Sequence, residues 1–269
     1  MTFWISTDLD GTLLDHNDYS YAAADPALTL CKELGVPIVL NTSKTEAETS
    51  ALHQNLNLLT PIIVENGSAL IFSKKSLTAK VFGQPRSVIL NFIDDMRCRY
   101  DIKLSGFNDL GVSGIIKHTG LSRDAAELAA QKQYSEPFVW HDSDDKLQEL
   151  RIFAKQQDLT ILKGGRFYHL QGQTDKGKPL LWLKNNLQHL FPYLPNKPKL
   201  IGLGDNQNDL SMLNVADHPV WIKSSIDPPK LSNKNKPIYT QKIGPEGWNE
   251  AVKQLLSTNN NQPTDSIRG

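Results

Sequence analysis

Three observations predict an α/β fold built on a parallel sheet. Short apolar runs (Phe3-Trp4-Ile5, Val36 to Leu40, Pro61 to Val64, Lys199 to Leu203) alternate with stretches of helical periodicity. Each run ends in acidic, hydroxyl or amide residues, the chemistry found where strands of open α/β sheets meet a ligand. Between residues 84 and 172 the pattern changes to helices mixed with paired strands, which reads as a separate α+β module inserted into the first. The fold class is therefore a Rossmann-like parallel-sheet core, residues 1–83 and 173–269, carrying an inserted α+β cap domain over residues 84–172.

Taken in order, Phe3-Trp4-Ile5 reads as a buried strand. Asp25-Pro26 suits an N-cap and first helical residue, with Leu28, Cys31 and Leu34 on one face and Gly35 as the stop. After the strand ending at Leu40, Thr45 and Glu48 have capping-box spacing for a helix to about Leu56. Asn66-Gly67 suggests a type I′ hairpin turn between Ile62-Ile63-Val64 and Ala69 to Phe72, with Lys80-Val81-Phe82 as a third strand. In the insert, Val88, Phe92, Ile93 and Met96 mark an amphipathic helix, and glycine-rich Gly106 to Gly120 reads as a loop. Ser122 caps a helix to Tyr134, Pro137 to Trp140 is a strand, and Leu147, Leu150 and Phe153 mark another helix. Two strands, 159–162 and 167–170, flank the turn Lys163-Gly164-Gly165-Arg166. A leucine-rich helix follows Lys176, a short helix follows Asp209, strands are read at 220–222 and 238–239, and the last helix reaches about Leu256 before a polar, frayed tail. Gly83 and Gly172, at the two crossings into the insert, are candidate hinges.

Lysine plus arginine and aspartate plus glutamate number 29 each, with a pI near 7.1, so no bulk field attracts nucleic acid or an anionic membrane. The two cysteines, Cys31 and Cys98, are too few for a disulfide framework or a thiolate zinc site. No basic leader with a long apolar run and no stretch of membrane-spanning length is present, and a cytoplasmic enzyme without an obligate protein partner is expected.

Asp8 and Asp10 stand two apart after the first strand, on one side of it by strand alternation. Two converging carboxylates call for a cation, and Mg²⁺ takes carboxylate oxygens while leaving room for phosphate. Asn41-Thr42-Ser43-Lys44 sets hydroxyls and a lysine between a strand end and a helix start, a place suited to an anion. Lys176 precedes a helix, and Gly204-Asp205-Asn206-Gln207-Asn208-Asp209 follows the strand ending at Leu203. Phosphoryl transfer needs such a set: a nucleophile, an acid, anchors for the phosphoryl oxygens and a cation.

Asp-Leu-Asp-Gly-Thr followed much later by Gly-Asp-x-x-Asn-Asp resembles the haloacid dehalogenase-like (HAD-like) phosphatases. Asn41 to Thr45, Glu65-Asn66-Gly67, Thr119 to Ser122, Gly165-Arg166-Phe167 and Gly244 to Trp248 further resemble the mannosyl-3-phosphoglycerate phosphatases, over nearly the whole chain. The resemblance implies a Mg²⁺-dependent phosphomonoesterase working through an aspartyl-phosphate on Asp8, with Asp10 as acid and base. It implies a metal held by Asp8, Asp10 through its carbonyl, and Asp205, and phosphoryl anchoring by Thr42 and Lys176. Asp209 and Asn208 would support, and Ser43, Lys44 and Arg166 are candidates for binding substrate. That substrate would be a small phosphorylated sugar or glycosyl phosphoglycerate. A broader sugar-phosphate phosphatase and a non-catalytic phosphate-binding module are the alternatives; the second expects Asp8 or Asp10 to be lost, and both are present.

Overall fold

The computed structural model describes residues 2–72, 79–164, 166–194, 197–228, 230–231 and 236–260. Among these, the strands are β1 (Phe3–Thr7), β2 (Ile38–Leu40), β3 (Ile62–Val64), β4 (Ala69–Ile71), β5 (Ala79–Val81), β6 (Leu104–Gly106), β7 (Ser135–Trp140), β8 (Leu159–Lys163), β9 (Tyr168–Gly172), β10 (Lys199–Gly204), β11 (His218–Lys223) and β12 (Ile238–Ile243). The α-helices are α1 (Asp25–Glu33), α2 (Glu46–Asn55), α3 (Arg86–Tyr100), α4 (Phe107–Thr119), α5 (Arg123–Ala129), α6 (Asp144–Gln156), α7 (Gly177–Leu190), α8 (Leu210–Val215) and α9 (Gly244–Asn260). By its internal contacts the chain falls into two compact units, Met1–Val39 with Leu183–Gly269, and Leu40–Trp182.

The first unit is organised on a sheet of order β12-β11-β10-β1-β2. β1 pairs in parallel with β10, from Phe3 opposite Lys199 to Thr7 opposite Leu203, and β10 and β11, β11 and β12 are parallel too. Every residue of β1 is buried, as a central parallel strand covered on both faces requires. Trp248, at the start of α9, is fully buried and donates its indole N–H to the Thr7 hydroxyl (3.0 Å). It is a packing residue, as its apolar setting suggests.

The second unit holds two antiparallel sheets, β3-β4-β5 and β6-β7-β9-β8. Ile89, Phe92, Ile93 and Met96 of α3 pack with Phe138, Leu150, Ala154, Leu159, Ile161 and Leu170 into one core. Phe107, Ile115, Ala126, Ala129 and Phe167 form another, with the Phe107 and Phe167 rings edge to face at 5.1 Å. The two crossings run side by side: a Cβ on Gly172 would lie 2.8 Å from the Gly83 Cα.

Several local expectations are corrected. The N-cap of α1 is Ala24, because a 3₁₀ turn over Ala22–Ala24 feeds directly into the helix; Leu34 is exposed while Ala27 and Cys31 are buried. β3 belongs to the antiparallel sheet, and among the described residues its parallel pairing is the isolated Asn41–Ile63 bridge. The β3–β4 connection is a 3₁₀ turn with φ +47° at Glu65, +55° at Asn66 and +86° at Gly67, not a two-residue type I′ turn. Gly106 to Gly120 is helical from Phe107 to Thr119, broken at Gly111 (φ +57°). There Asp109 accepts the Gly106 N–H (2.8 Å), and burial of Phe107 and Ile115 offsets the cost of glycine in a helix. α5 ends at Ala129, short of Tyr134. α9 runs to Asn260, so residues 257–260 are helical; the rest of the tail, like Gly165, lies outside the described residues. Among the described residues no helix is long and apolar enough to cross a membrane.

Candidate active site

In the first unit, Asp8 closes β1. Its N–H donates to the Leu203 carbonyl (3.0 Å), so the β1/β10 ladder fixes its place, and it is 7% exposed. The chain then reverses: the Thr12 and Leu14 N–H groups donate to the Leu9 carbonyl (3.1 and 2.8 Å), with Gly11 at φ +78°. A Cβ on Gly11 would stand 2.9 Å from Asp205 Oδ2, so glycine here serves both the turn and the approach of Asp205. Asp10, half-buried, follows on this loop in a bridge with Leu14.

Asp205 leaves the end of β10, the neighbour of β1, and its Oδ1 accepts the Thr12 hydroxyl (2.9 Å). Asp209 folds back in a 3₁₀ turn, and its Oδ2 accepts the N–H groups of Asp205 and Asn206 (3.0 Å each). Gly204 makes this possible, since a Cβ there would lie 2.4 Å from the Asp209 Cβ. Carboxylate oxygens of Asp8, Asp205 and Asp209 lie within 4.8 Å of one another, all three residues buried. Buried like charges this close demand compensation, and an all-oxygen donor set at strand ends fits a hard divalent cation. Asn208, expected to support, sits half-buried in the same turn.

In the second unit, Thr42 follows β2 and is 1% exposed. Its N–H donates to the Ile63 carbonyl (2.9 Å), its carbonyl accepts the Asn66 N–H (3.0 Å), and its hydroxyl accepts the Lys44 N–H (3.2 Å). The capping box is present: Thr45 Oγ1 accepts the Glu48 N–H (3.0 Å) and Glu48 Oε2 accepts the Thr45 N–H (2.8 Å). Lys176 is fully buried, and its carbonyl accepts Asn41 Nδ2 (3.0 Å), so the Thr42 loop and Lys176 share one neighbourhood. Gly67 completes it: its carbonyl accepts the Thr174 hydroxyl (2.9 Å), and a Cβ there would fall 2.0 Å from the Asp175 carbonyl oxygen.

Arg166, the third substrate candidate, is exposed and donates to the carbonyls of His118 and Thr119 (3.3 and 2.7 Å) at the end of α4. His169 Nδ1 is buried, and burial first, then the charge of Lys132, holds its pKa down at about 3. Two residues to which the sequence assigned no role also stand out. The Lys132 ammonium reaches the Ser43 carbonyl (3.0 Å). Glu65, 1% exposed, accepts from the N–H groups of Gln133 (2.8 Å) and Tyr134 (3.2 Å) and from the Ser135 hydroxyl (2.5 Å). Nothing local announces either, because each acts across long sequence separation.

The family model for haloacid dehalogenase-like hydrolases matches residues 5–176. The chain belongs to the haloacid dehalogenase-like hydrolases. A glucosyl-3-phosphoglycerate/mannosyl-3-phosphoglycerate phosphatase of Persephonella marina is 36% identical to it, covering 94% of this chain and 97% of the relative. One of Methanococcoides burtonii is 35% identical, covering 96% and 98%. The crystal structure of a haloacid dehalogenase-like hydrolase from Bacteroides thetaiotaomicron superposes with a TM-score of 0.68 at 18% identity, covering 95% of this chain and all of that one, a likeness of fold. The expected HAD-like α/β fold and enzyme class therefore hold: the chain is a phosphatase hydrolase of this family.

Proposed function

We propose that this hydrolase is a Mg²⁺-dependent phosphomonoesterase that cleaves a glycosyl-3-phosphoglycerate, mannosyl or glucosyl, to the glycosylglycerate and inorganic phosphate. The observation that carries the reading is the buried trio Asp8, Asp205 and Asp209 at the ends of adjacent parallel strands. The substrate class is taken from the two relatives whose lengths this chain matches almost completely.

In this reading an Asp8 oxygen attacks phosphorus and the bond to the glycerate oxygen breaks, with Asp10 giving its proton to that oxygen. Water then attacks the aspartyl-phosphate, Asp10 takes the water's proton, and phosphate leaves with Asp8 restored. Thr42 and Lys176 hold the phosphoryl oxygens. Asp209 orients the loop through the Asp205 and Asn206 N–H groups. Mg²⁺ bound by Asp8, Asp205 and the Asp10 carbonyl, with Asp209 beside them, would supply neutralisation of charge between nucleophile and phosphate. Residues 1–83 and 173–269 act as the catalytic core, and 84–172 as the cap that selects substrate.

The test is phosphate release from glucosyl- and mannosyl-3-phosphoglycerate and from p-nitrophenyl phosphate, with Mg²⁺ and with chelator. Asp8→Asn is expected to abolish turnover of all three while leaving the melting curve unchanged. Full activity in that variant, or in chelator, overturns the mechanism.

A further inference from the structure

Lys132 is 8% exposed, an unusual place for an ammonium. Its contacts among the described residues are few. One N–H donates to the Ser43 carbonyl at 3.0 Å, and Glu48 Oε2 stands 3.9 Å away, within ion-pair range but beyond a hydrogen bond. An ammonium carries three donors, so Lys132 is under-satisfied where water is scarce. Glu48 does not make up the difference. Its Oε2 accepts the Thr45 N–H of the capping box, and its Oε1 lies 4.0 Å from the Lys44 ammonium. One carboxylate thus serves two lysines. Glu65, the other acid bound to this stretch of chain, is occupied by its own three donors at 133–135.

The imidazole beside this cation is also incomplete. His169 Nδ1 is buried with no hydrogen-bond partner among the described residues, and the nearby Lys132 charge helps keep the ring neutral. A buried ammonium is costly while its donors are unpaired, and an anion bound beside it offsets that cost. The carbonyl that Lys132 grips belongs to the residue after Thr42, the proposed phosphoryl anchor. With Thr42 as that anchor, an anion at Lys132 and the phosphoryl group belong to one small substrate.

We propose that Lys132 is the specificity residue of the site, binding a carboxylate that the leaving group carries next to its phosphate ester. The proposal rests on the functional reading above, which supplies the position of the phosphoryl group. It assigns the acid of the substrate to a lysine held by Ser43 and Glu48, and leaves Arg166 with its carbonyl partners on α4.

The experiment uses the full-length protein with Mg²⁺ and p-nitrophenyl phosphate as reporter. 3-Phosphoglycerate and glycerol 3-phosphate, which differ in the carboxylate, serve as competing ligands. The wild type is expected to bind 3-phosphoglycerate roughly 10- to 100-fold more tightly, the worth of a charge-assisted hydrogen bond. Lys132→Met and Lys132→Gln should remove that preference by weakening 3-phosphoglycerate and not glycerol 3-phosphate, and Lys132→Arg should restore most of it. A wild type without preference overturns the proposal. So do variants that weaken both ligands equally, which marks a structural tie to Ser43, and variants that keep the preference. A wild type that shows Lys132-dependent discrimination yet fails to hydrolyse glycosyl-3-phosphoglycerates refutes the substrate assignment and leaves the carboxylate site standing.

Discussion

Replacing Glu65 by Gln is expected to loosen the seam between the loop after β3 and the entry to β7. The carboxylate sits 1% exposed and accepts three hydrogen bonds, from Gln133, Tyr134 and Ser135. Glutamine keeps the shape but replaces one oxygen with a donor. Its best placement sets the amide nitrogen where Oε2 stood, where the Ser135 hydroxyl can turn to accept. The Tyr134 N–H is then left without an acceptor, and the other bonds lose their charge. An unsatisfied buried donor costs about 1–3 kcal/mol, and charge assistance roughly doubles a bond's strength, so a loss of about 2–4 kcal/mol follows. For a domain of this size that corresponds to a fall in melting temperature of about 5–10 °C. Thermal melts followed by circular dichroism measure it, and amide exchange at Gln133 and Tyr134 should accelerate. Backbone and side-chain effects separate in a pair of variants. Glu65→Gly and Glu65→Ala both lose the carboxylate, but glycine relieves the left-handed φ of +47° and should be about 1 kcal/mol the more stable. A Glu65→Gln protein melting within 1 °C of wild type, with unchanged exchange, would refute the reasoning.

Three further outcomes are expected. Gly204→Ala drives a methyl to 2.4 Å from the Asp209 Cβ and displaces the carboxylate that holds the Asp205 and Asn206 N–H groups; half-saturation by Mg²⁺ should rise on the order of 10-fold or more in a titration of activity. His169 keeps a folded pKa of about 3 against an ordinary 6.5. As pH falls through 6.5 the unfolded chain takes a proton that the folded one refuses, so stability drops with pH, by about 2 kcal/mol between pH 7 and 5. Urea unfolding at both pH values should show His169→Gln losing that part of the slope, and an unaltered slope would count against it. Arg86 pairs with Glu136, whose side chain is fully buried (2.6 Å), and Arg86→Met alone should cost about 3–5 kcal/mol by stranding the carboxylate. Arg86→Met with Glu136→Met should cost less than the single change in the same melts, a result that an additive pair would contradict.

What the sequence disclosed follows the range of the interaction concerned. The Thr45/Glu48 box and the Ser122 cap are local, need only spacing, and are present as read. The helix at Phe107–Thr119 was hidden because its glycines argue for a loop, and only the distant partner Phe167 makes helical burial worthwhile. Asp8 and Asp10 stand out because their types and spacing announce a cation, and Asp205 through the resemblance of its motif; Asp209 was read as support, and its entry into the buried acid trio depends on the closeness that Gly204 permits. Lys132 carries no motif at all, and Glu65 stands in the Glu65-Asn66-Gly67 motif without any local sign of its distant partners. Lys132 falls in the stretch read as a helix to Tyr134, where nothing marks it until the fold brings Ser43 and Glu48 against it.

The closeness of Gly83 and Gly172 has an evolutionary corollary. Because the chain at Gly83 and at Gly172 nearly touches, the stretch between them leaves and returns through one point, and a change in its length need not move the residues on either side. That stretch is tied to the rest of its unit through Glu65, which accepts from residues 133–135, and through Lys132 and Leu128, which bond to Ser43 and Thr45. Insertions and deletions inside that stretch are therefore tolerated so long as the Glu65, Ser43 and Thr45 contacts are kept.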